Sequence, residues 1–185
     1  MSKRRILPSS TYRLFYPQVP IIVCAMYGKH VAAMTANSVM SVSDSPPKVS
    51  VAISAKSRTC SIIRGSRRFS INWLSYDASS RRAVIELSKP FRESSEHYDK
   101  LKYCKIPYRL VSETPVLKQA EAFAICSVTW IRRTGDHFLI VAGVTQASAT
   151  ADFINEGYWM FKDYEPILYL GSNRKEPLTT LGRKH

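Results

Sequence analysis

Residues 30–54, H-V-A-A-M-T-A-N-S-V-M-S-V-S-D-S-P-P-K-V-S-V-A-I-S, decide the fold of this chain. They read as a short strand, a bend, a second strand, a Pro-Pro turn and a third strand. Val49, Val51 and Ile53 alternate with Ser50, Ala52 and Ser54, the period-two pattern of a half-buried strand. Asp44-Ser45-Pro46-Pro47 stops the strand before it, because proline has no N–H to give to a ladder. At the centre, Met34-Thr35-Ala36-Asn37-Ser38 sets small and polar residues between two β-rich segments. Small side chains let a backbone approach a flat ligand and offer it N–H and C=O groups. The same five residues also suit an ordinary sheet corner. Directly downstream, Ser54-Ala55-Lys56-Ser57-Arg58-Thr59 is a hydroxyl-rich, basic loop that opens a short helix. A planar-ring site beside an anion site suggests a phosphorylated aromatic cofactor.

Working outward, residues 21–27 are apolar on both faces and read as a strand buried on both sides. Gly28-Lys29 forms a tight turn, and residues 31–34 make the returning strand. A further strand over 37–43 leads into the Pro-Pro turn. Residues 57–64 form a short helix, with Ser57 as cap, Cys60 and Ile63 on one face and Gly65 as terminator. In the strand over 69–74, Phe69, Ile71 and Trp73 share a side. Asp77 caps a helix over 78–87 whose stripe is Ala83, Val84 and Leu87, and Pro90 ends it. Residues 91–117 are the least regular, with a helix over 94–101 and a loop holding one short strand over 103–111. They read as an insertion or lid over a site. The longest β pair is 120–131 with 138–147, connected by 132–137. A last short strand spans 166–169.

The expected organisation is a basic N-terminal arm over 1–17, with Tyr12, Phe15 and Tyr16 packing on a core, a domain over 18–172, and an extended tail over 173–185. Roughly seven hairpin-linked strands with two or three short helices favour a mainly β fold, an antiparallel barrel rather than a doubly wound sheet.

A chain of 185 residues suits one domain, and 45% apolar against 22% charged residues argues against global disorder. The net charge of +13 biases the surface toward anions. Its basic residues come in small scattered groups, which a solvated positive surface explains as well as a partner does. Cys24, Cys60, Cys104 and Cys126 form no C-x-x-C pair, and no histidine stands at metal-ligand spacing from them. Cys24 and Cys126 sit in apolar strands and act as small hydrophobes. The basic N-terminus has no apolar run behind it, and residues 19–27 are too short to cross a bilayer. The expectation is a cytoplasmic protein with reduced thiols.

No G-x-G-x-x-G, P-loop, G-x-S-x-G elbow or H-E-x-x-H helix is present. Ser57, Arg58 and Thr59 make the best anion site, since two hydroxyls and a guanidinium at a helix N-terminus fit a phosphate dianion. Simple capping of the helix is the competing account.

Beyond these local readings lies a resemblance. M-T-A-N-S-V-M-S-V-S-D-S-P-P-K-V-S-V-A-I-S, then S-R-T, F-S-I-N-W-L, G-D-H-F-L-I-V-A-G-V and P-I-L-Y-L-G resemble, in order and spacing, the flavin reductase family of the FMN-binding split-barrel fold. The likeness covers residues 18–172. It implies a Greek-key split barrel, a homodimer, and FMN (sometimes FAD) near the dimer interface. It places Met34, Thr35, Ala36, Asn37 and Ser38 against the isoalloxazine ring and Ser54, Ser57, Arg58 and Thr59 at the phosphate. Lys89 would approach the flavin, and His137 would lie near the flavin or the nicotinamide as the one candidate catalytic residue. Tyr169 falls in the matching last strand. Without the resemblance, His137 is equally an exposed histidine at a hairpin end. Two departures stand out: Val31-Ala32-Ala33 precede M-T-A where the family often has Gly or Asn, and residues 91–117 carry no family signature.

The leading expectation is therefore an FMN-dependent NAD(P)H oxidoreductase that passes electrons to free flavin, ferric iron or a flavin-dependent monooxygenase. Hydride transfer to flavin N5 needs stacked rings rather than a protein acid or base, so the missing triad is no objection. A flavin-binding electron carrier without a nicotinamide site is the second class. A nucleic-acid-binding β-barrel ranks last, because few aromatic residues are interleaved with the basic ones.

Overall fold

A computed structural model of the chain describes residues 7–90, 98–151, 157, 159–161, 164–171 and 175–181. A 3-10 helix over Pro8–Phe15 precedes β1 (Ile21–Tyr27) and β2 (His30–Ala36). Then follow β3 (Val39–Asp44), β4 (Pro47–Ser54), α1 (Arg58–Ser66), β5 (Arg68–Trp73) and α2 (Ala78–Ser88). The second half holds α3 (Lys100–Tyr103), β6 (Tyr108–Val111), β7 (Thr114–Leu117), β8 (Ala122–Thr134), β9 (His137–Ala149), β10 (Leu168–Tyr169) and β11 (Leu178–Thr179).

Seven strands make one antiparallel sheet in the order β2-β1-β5-β8-β9-β4-β3. Its two outermost strands, β2 and β3, are neighbours in the chain, with only Asn37 and Ser38 between them. A sheet whose edges are joined by two residues must roll until they meet. At this joint the Ala52 N–H of β4 donates to the Ser38 carbonyl at 3.0 Å, extending the β3–β4 ladder into the two-residue link. The result is an antiparallel barrel, as the hairpin-linked strands predict, of the Greek-key split type that the resemblance implies.

Alternation sorts each strand between two faces. Ile21, Val23 and Ala25 of β1 point inward with Val51, Ile53, Phe69, Ile71, Cys126 and Ile140. α1 closes one end of this interior with Cys60, Ile62 and Ile63. Ile22 and Cys24 point the other way, under Ala83, Val84 and Leu87 of α2. Both faces of β1 are thus covered, which its unbroken apolar run requires. Burial pushes the Cys24 and Cys126 thiols up to about 12, so they behave as small hydrophobes.

Buried Asn72 fastens the β6–β7 hairpin to β5. Its Nδ2 donates to the Ile22 carbonyl and to Ser70 Oγ, both at 3.0 Å, and its Oδ1 accepts from the Leu117 N–H at 2.9 Å. The short strand expected within 103–111 is thus β6, one half of a docked hairpin.

Several local expectations are corrected. Gly65 lies inside α1; the helix ends at Arg67, which takes φ +58° and donates its N–H to the Ile63 carbonyl at 2.8 Å. Gly65 instead admits the Tyr27 ring, since a Cβ there would stand 3.0 Å from Tyr27 Cδ1. Asp77 does cap α2, accepting from the Ser79 and Ser80 N–H groups. β8 and β9 run on to a two-residue turn at Gly135-Asp136, with Gly135 at φ +59°. The connection is shorter than 132–137, because arginines hold a strand as readily as apolar residues do when one face is wet. A register shift between Val128 and Trp130 sends Ile131 inward and leaves Trp130 43% exposed. Part of the stretch read as an extended tail returns as β11 to pair with β10, burying Leu178, Thr179 and Thr180. Residues 1–6 of the arm, 94–97 of the expected helix over 94–101, and Asn173 lie outside the described residues.

Candidate functional site

Two cavities lie side by side on the outer face of the barrel. The strand-side cavity, about 620 Å³, is lined by Met34, Thr35, Ala36, Asn37 and Ser38, by Ser50, Ala52 and Ser54 of β4, and by Leu139 and His137 of β9. Tyr12 and Phe15 form its far wall. The helix-side cavity, about 650 Å³, is lined by Ser54, Ala55, Lys56, Ser57, Arg58 and Thr59, with Ser61, Lys89, Tyr98 and Lys100 around it. Met34, Thr35 and Ser54 belong to both. Every site residue expected from the sequence lines one cavity or the other. Both volumes fall in the range of small-molecule sites.

Alternation explains the strand-side floor. Val51 and Ile53 face the core, so Ser50, Ala52 and Ser54 face out, and all three are small. Register sets Ala52 opposite Leu139 and Ser54 opposite His137. The floor is therefore backbone and short side chains with one apolar and one ionisable neighbour. Thr35 Oγ1 donates to the Val84 carbonyl at 2.6 Å and fixes β2 against α2. Asn37 Oδ1 is buried with no hydrogen-bond partner, an unsatisfied acceptor at the edge of this cavity.

The helix-side cavity is built on charge. Ser57 occupies the N-cap position of α1, but its side chain accepts no bond from the helix. Its hydroxyl donates instead to Met34 Sδ at 3.4 Å, so the two segments singled out in the sequence touch. Capping does not account for Ser57, and the first N–H groups of α1 have no intrahelical acceptor. The first turn carries no acidic residue to offset the positive helix end. Arg58 lies over the Tyr98 ring at 4.2 Å. Burial raises the Tyr98 hydroxyl, and the Arg58 charge opposes that shift. Thr59 is buried, and Lys89 Nζ pairs with Glu86 Oε1 at 2.7 Å. Among the described lining residues are four cations, Lys56, Arg58, Lys89 and Lys100, and no carboxylate.

His137 sits at the start of β9 with its side chain 43% exposed, and its Nδ1 lies 2.7 Å from Asp136 Oδ1. The hydrogen bond from His137 holds the Asp136 carboxyl below the usual carboxylate range. The Asp136 carbonyl accepts from the Ala55 N–H at 2.9 Å, tying the hairpin tip to the loop that enters α1. With Nδ1 engaged, Nε2 is the ring nitrogen left for another partner.

The model of the Flavin reductase like domain matches residues 12–175. The chain belongs to this family. An uncharacterized protein of Aeropyrum pernix is 27% identical over 176 residues, which is 93% of this chain and 64% of that relative. This flavin reductase-like chain thus spans under two thirds of that relative's length. Among solved structures, an FMN-binding protein from Thermus thermophilus with bound p-hydroxybenzaldehyde superposes with a TM-score of 0.76 at 23% identity, covering 93% of this chain and 92% of the other. An NADH:FAD oxidoreductase from Streptomyces globisporus superposes with a TM-score of 0.72 at 21% identity, covering 91% and 93%. At such identities the superpositions establish the shared fold.

Several residues lining the two cavities escape the sequence reading, Tyr12, Phe15, Tyr98 and Lys100 among them. Tyr12 and Phe15 are 53% and 68% exposed and wall a cavity instead of packing on the core. Tyr98 and Lys100 fall in the stretch without periodicity. A tyrosine and a lysine flanking one aspartate give no signal until α3 folds against α2. Tyr169 lines neither cavity; its ring meets that of Tyr16, a residue of the strand-side cavity, edge to face at 5.2 Å.

Proposed function

We propose that this protein binds FMN across the wall shared by the two cavities and acts as an NAD(P)H-dependent flavin reductase. The observation that carries the reading is the contact of Ser57 with Met34, which sets a backbone-floored cavity beside a cationic one. The residues present fit the cofactor. Asn37 Oδ1 offers an unsatisfied acceptor to a ring N–H, and a cationic helix end without carboxylates suits a phosphate dianion. When bound, the flavin supplies the hydride-accepting ring and the relay of electrons to free flavin, ferric iron or a partner flavin-dependent monooxygenase.

The chain's own part is to hold and orient. Ala36, Asn37 and Ser38, with Ala52, give the ring a flat seat. On binding, the Ser57 hydroxyl exchanges its weak contact with Met34 Sδ for the phosphate and donates to it together with the Thr59 hydroxyl, and Lys56, Arg58 and Lys89 supply charge. His137 presents Nε2 to the cofactor or to the nicotinamide carboxamide, with Asp136 fixing its ring through Nδ1. Tyr12 and Phe15 exclude water from the far side. A homodimer accounts for the exposed apolar side chains of Met40 and Val42 on edge strand β3 and of Trp130 on β8. Four free cysteines suit a cytoplasmic setting. Among the described residues no helix is long and apolar enough to cross a membrane.

The test is an absorption spectrum of the purified protein with FMN, before and after NADH or NADPH under nitrogen. Bound flavin that bleaches with one donor is the expected result. Bound flavin that stays oxidised with both leaves a flavin-binding electron carrier, and no flavin binding overturns the reading.

A further inference from the structure

Three exposed arginines from two elements gather on one flank of the barrel, next to the cavities but outside both. Arg64, in the last turn of α1, lies over the Phe138 ring at 4.9 Å. Arg67, which ends α1, donates from Nη2 to the Val128 and Thr129 carbonyls of β8 at 3.3 and 3.4 Å. Arg133 stands opposite Phe138 in the β8–β9 register and donates from Nε to the Gly135 carbonyl at 3.2 Å. Among the described residues none of the three pairs with a carboxylate. Asp136 at the hairpin tip is engaged by His137, and Glu113 stands 4.0 Å from the next arginine along, Arg68.

A ring and backbone carbonyls thus hold these side chains without neutralising them. Arg67 keeps Nε and Nη1 free of those bonds, and Arg133 keeps both Nη groups. A guanidinium fixed in this way can take a carboxylate through two bonds and loses little freedom in doing so. Offsetting the negative end of α1 accounts for Arg64 and Arg67 but not for Arg133, which belongs to a strand.

We propose that this flank docks a redox protein whose own redox group is ringed by carboxylates, and that this partner takes electrons from the neighbouring site. The inference rests on the flavin reading for the electrons and stands without it for the docking. Position favours such a partner over nucleic acid. α1 carries Arg58 into the helix-side cavity and Arg64 onto the flank, and the β8–β9 hairpin carries both His137 and Arg133. A protein seated there lies beside the electron source. The one ring among the three arginines is Phe138, and Arg64 already lies over it, which leaves a base little to stack on. Trp130 and Arg132 alternate with Arg133 along β8 and point to its other face, so a homodimer formed through Trp130 leaves the flank open. α1 has 9 residues, a length of about 13 Å, which suits the small, salt-sensitive contacts of electron-transfer partners. Each NAD(P)H oxidised to NAD(P)+ gives two electrons, which turn two ferric haems of such a partner ferrous, and one proton, which goes to solvent.

The probe is a soluble b-type cytochrome with carboxylates around its haem edge; a c-type cytochrome with lysines there is its opposite in charge. R64Q/R133Q removes two charges from the flank and leaves the Arg67 bonds to β8 in place. K102Q/K118Q removes two charges beside α3 and β7. Binding is read by calorimetry on the flavin-free chain at low salt, and haem reduction by stopped flow on the FMN-loaded chain with NAD(P)H. The wild type should bind and reduce the b-type cytochrome. R64Q/R133Q should lose about tenfold in affinity and in second-order rate, and K102Q/K118Q about threefold or less. High salt should bring the wild type down to the level of R64Q/R133Q. FMN affinity should be the same in all three, because none of the four residues lines either cavity. No binding of the b-type cytochrome, tighter binding of the c-type one, or equal losses in the two variants would overturn the proposal. A short DNA duplex bound more tightly than the cytochrome through the same two arginines would also overturn it, with nucleic acid as the occupant. A wild type that takes up no flavin yet binds the cytochrome through Arg64 and Arg133 would keep the docking surface and overturn the flavin reading.

Discussion

The strand-side and helix-side cavities share three residues and are built in opposite ways. The strand-side one works by what is missing: Ala36, Ser38, Ser50, Ala52 and Ser54 keep side chains short, so backbone forms the floor. The helix-side one works by what is added: four cations and a helix end that Ser57 leaves uncapped. The difference teaches that shape and charge can be altered separately here. Enlarging a floor residue should harm any flat ligand, and removing a cation should harm only a phosphorylated one.

The largest effect should come from A52F. The new ring would occupy the strand-side floor, and by the usual cost of overfilling a site FMN affinity should fall about thirtyfold or more. Riboflavin should suffer alike, because the damage is to shape, and the outward direction of residue 52 should leave the melting curve near that of the wild type. Equilibrium titration with both ligands checks this.

Next comes R58A. It removes a charge from the helix-side cavity and a contact with the Tyr98 ring. FMN affinity should drop about tenfold and riboflavin affinity hardly at all. A parallel loss of both would erase the contrast between the two cavities.

How much of this was legible depends on the kind of signal. Strand alternation around Val49, Val51 and Ile53, the Gly28-Lys29 turn and the Asp77 cap are local, and they appear in the fold where the sequence sets them. The two segments that line the cavities are legible because each holds its small, hydroxyl or basic residues within five or six consecutive positions. Gly65 was misread, because a glycine after a helical run signals a cap while close approach to Tyr27 is a tertiary fact. Arg67 accepts φ +58° at the true end, which no propensity favours. Tyr12, Phe15, Tyr98 and Lys100 reach the cavities from distant segments, and a single sequence holds no measure of that proximity. The sequence leaves Ser57 between cap and ligand, and the direction of its hydroxyl, toward Met34 Sδ and away from the helix, argues against the cap.

Substitutions away from the cavities sharpen the contrast as controls. D77A should cost about 1 kcal/mol of stability in chemical denaturation and leave both ligands' affinities unchanged. Burial would raise the Asp77 carboxyl, but its bonds from the Ser79 and Ser80 N–H groups outweigh that and hold it below the usual value. A folded value below the unfolded one means the cap is fully present at neutral pH. It is lost as pH falls through the lowered value, so wild type and D77A should converge in acid.

The smallest effect should be that of G65A. The added methyl gains helix propensity but meets the Tyr27 ring, which is 58% exposed and free to turn aside. The net change should stay within about 0.5 kcal/mol by thermal melting, with flavin binding unmoved.

The most direct measurement is a crystal structure of the protein grown with FMN. The account predicts a ring lying over Ala36 and Ala52 with Asn37 Oδ1 at its edge, and a phosphate at the N-terminal end of α1 between Ser57, Arg58 and Thr59. A ring seated elsewhere, or a phosphate that leaves the α1 terminus to solvent, would contradict it.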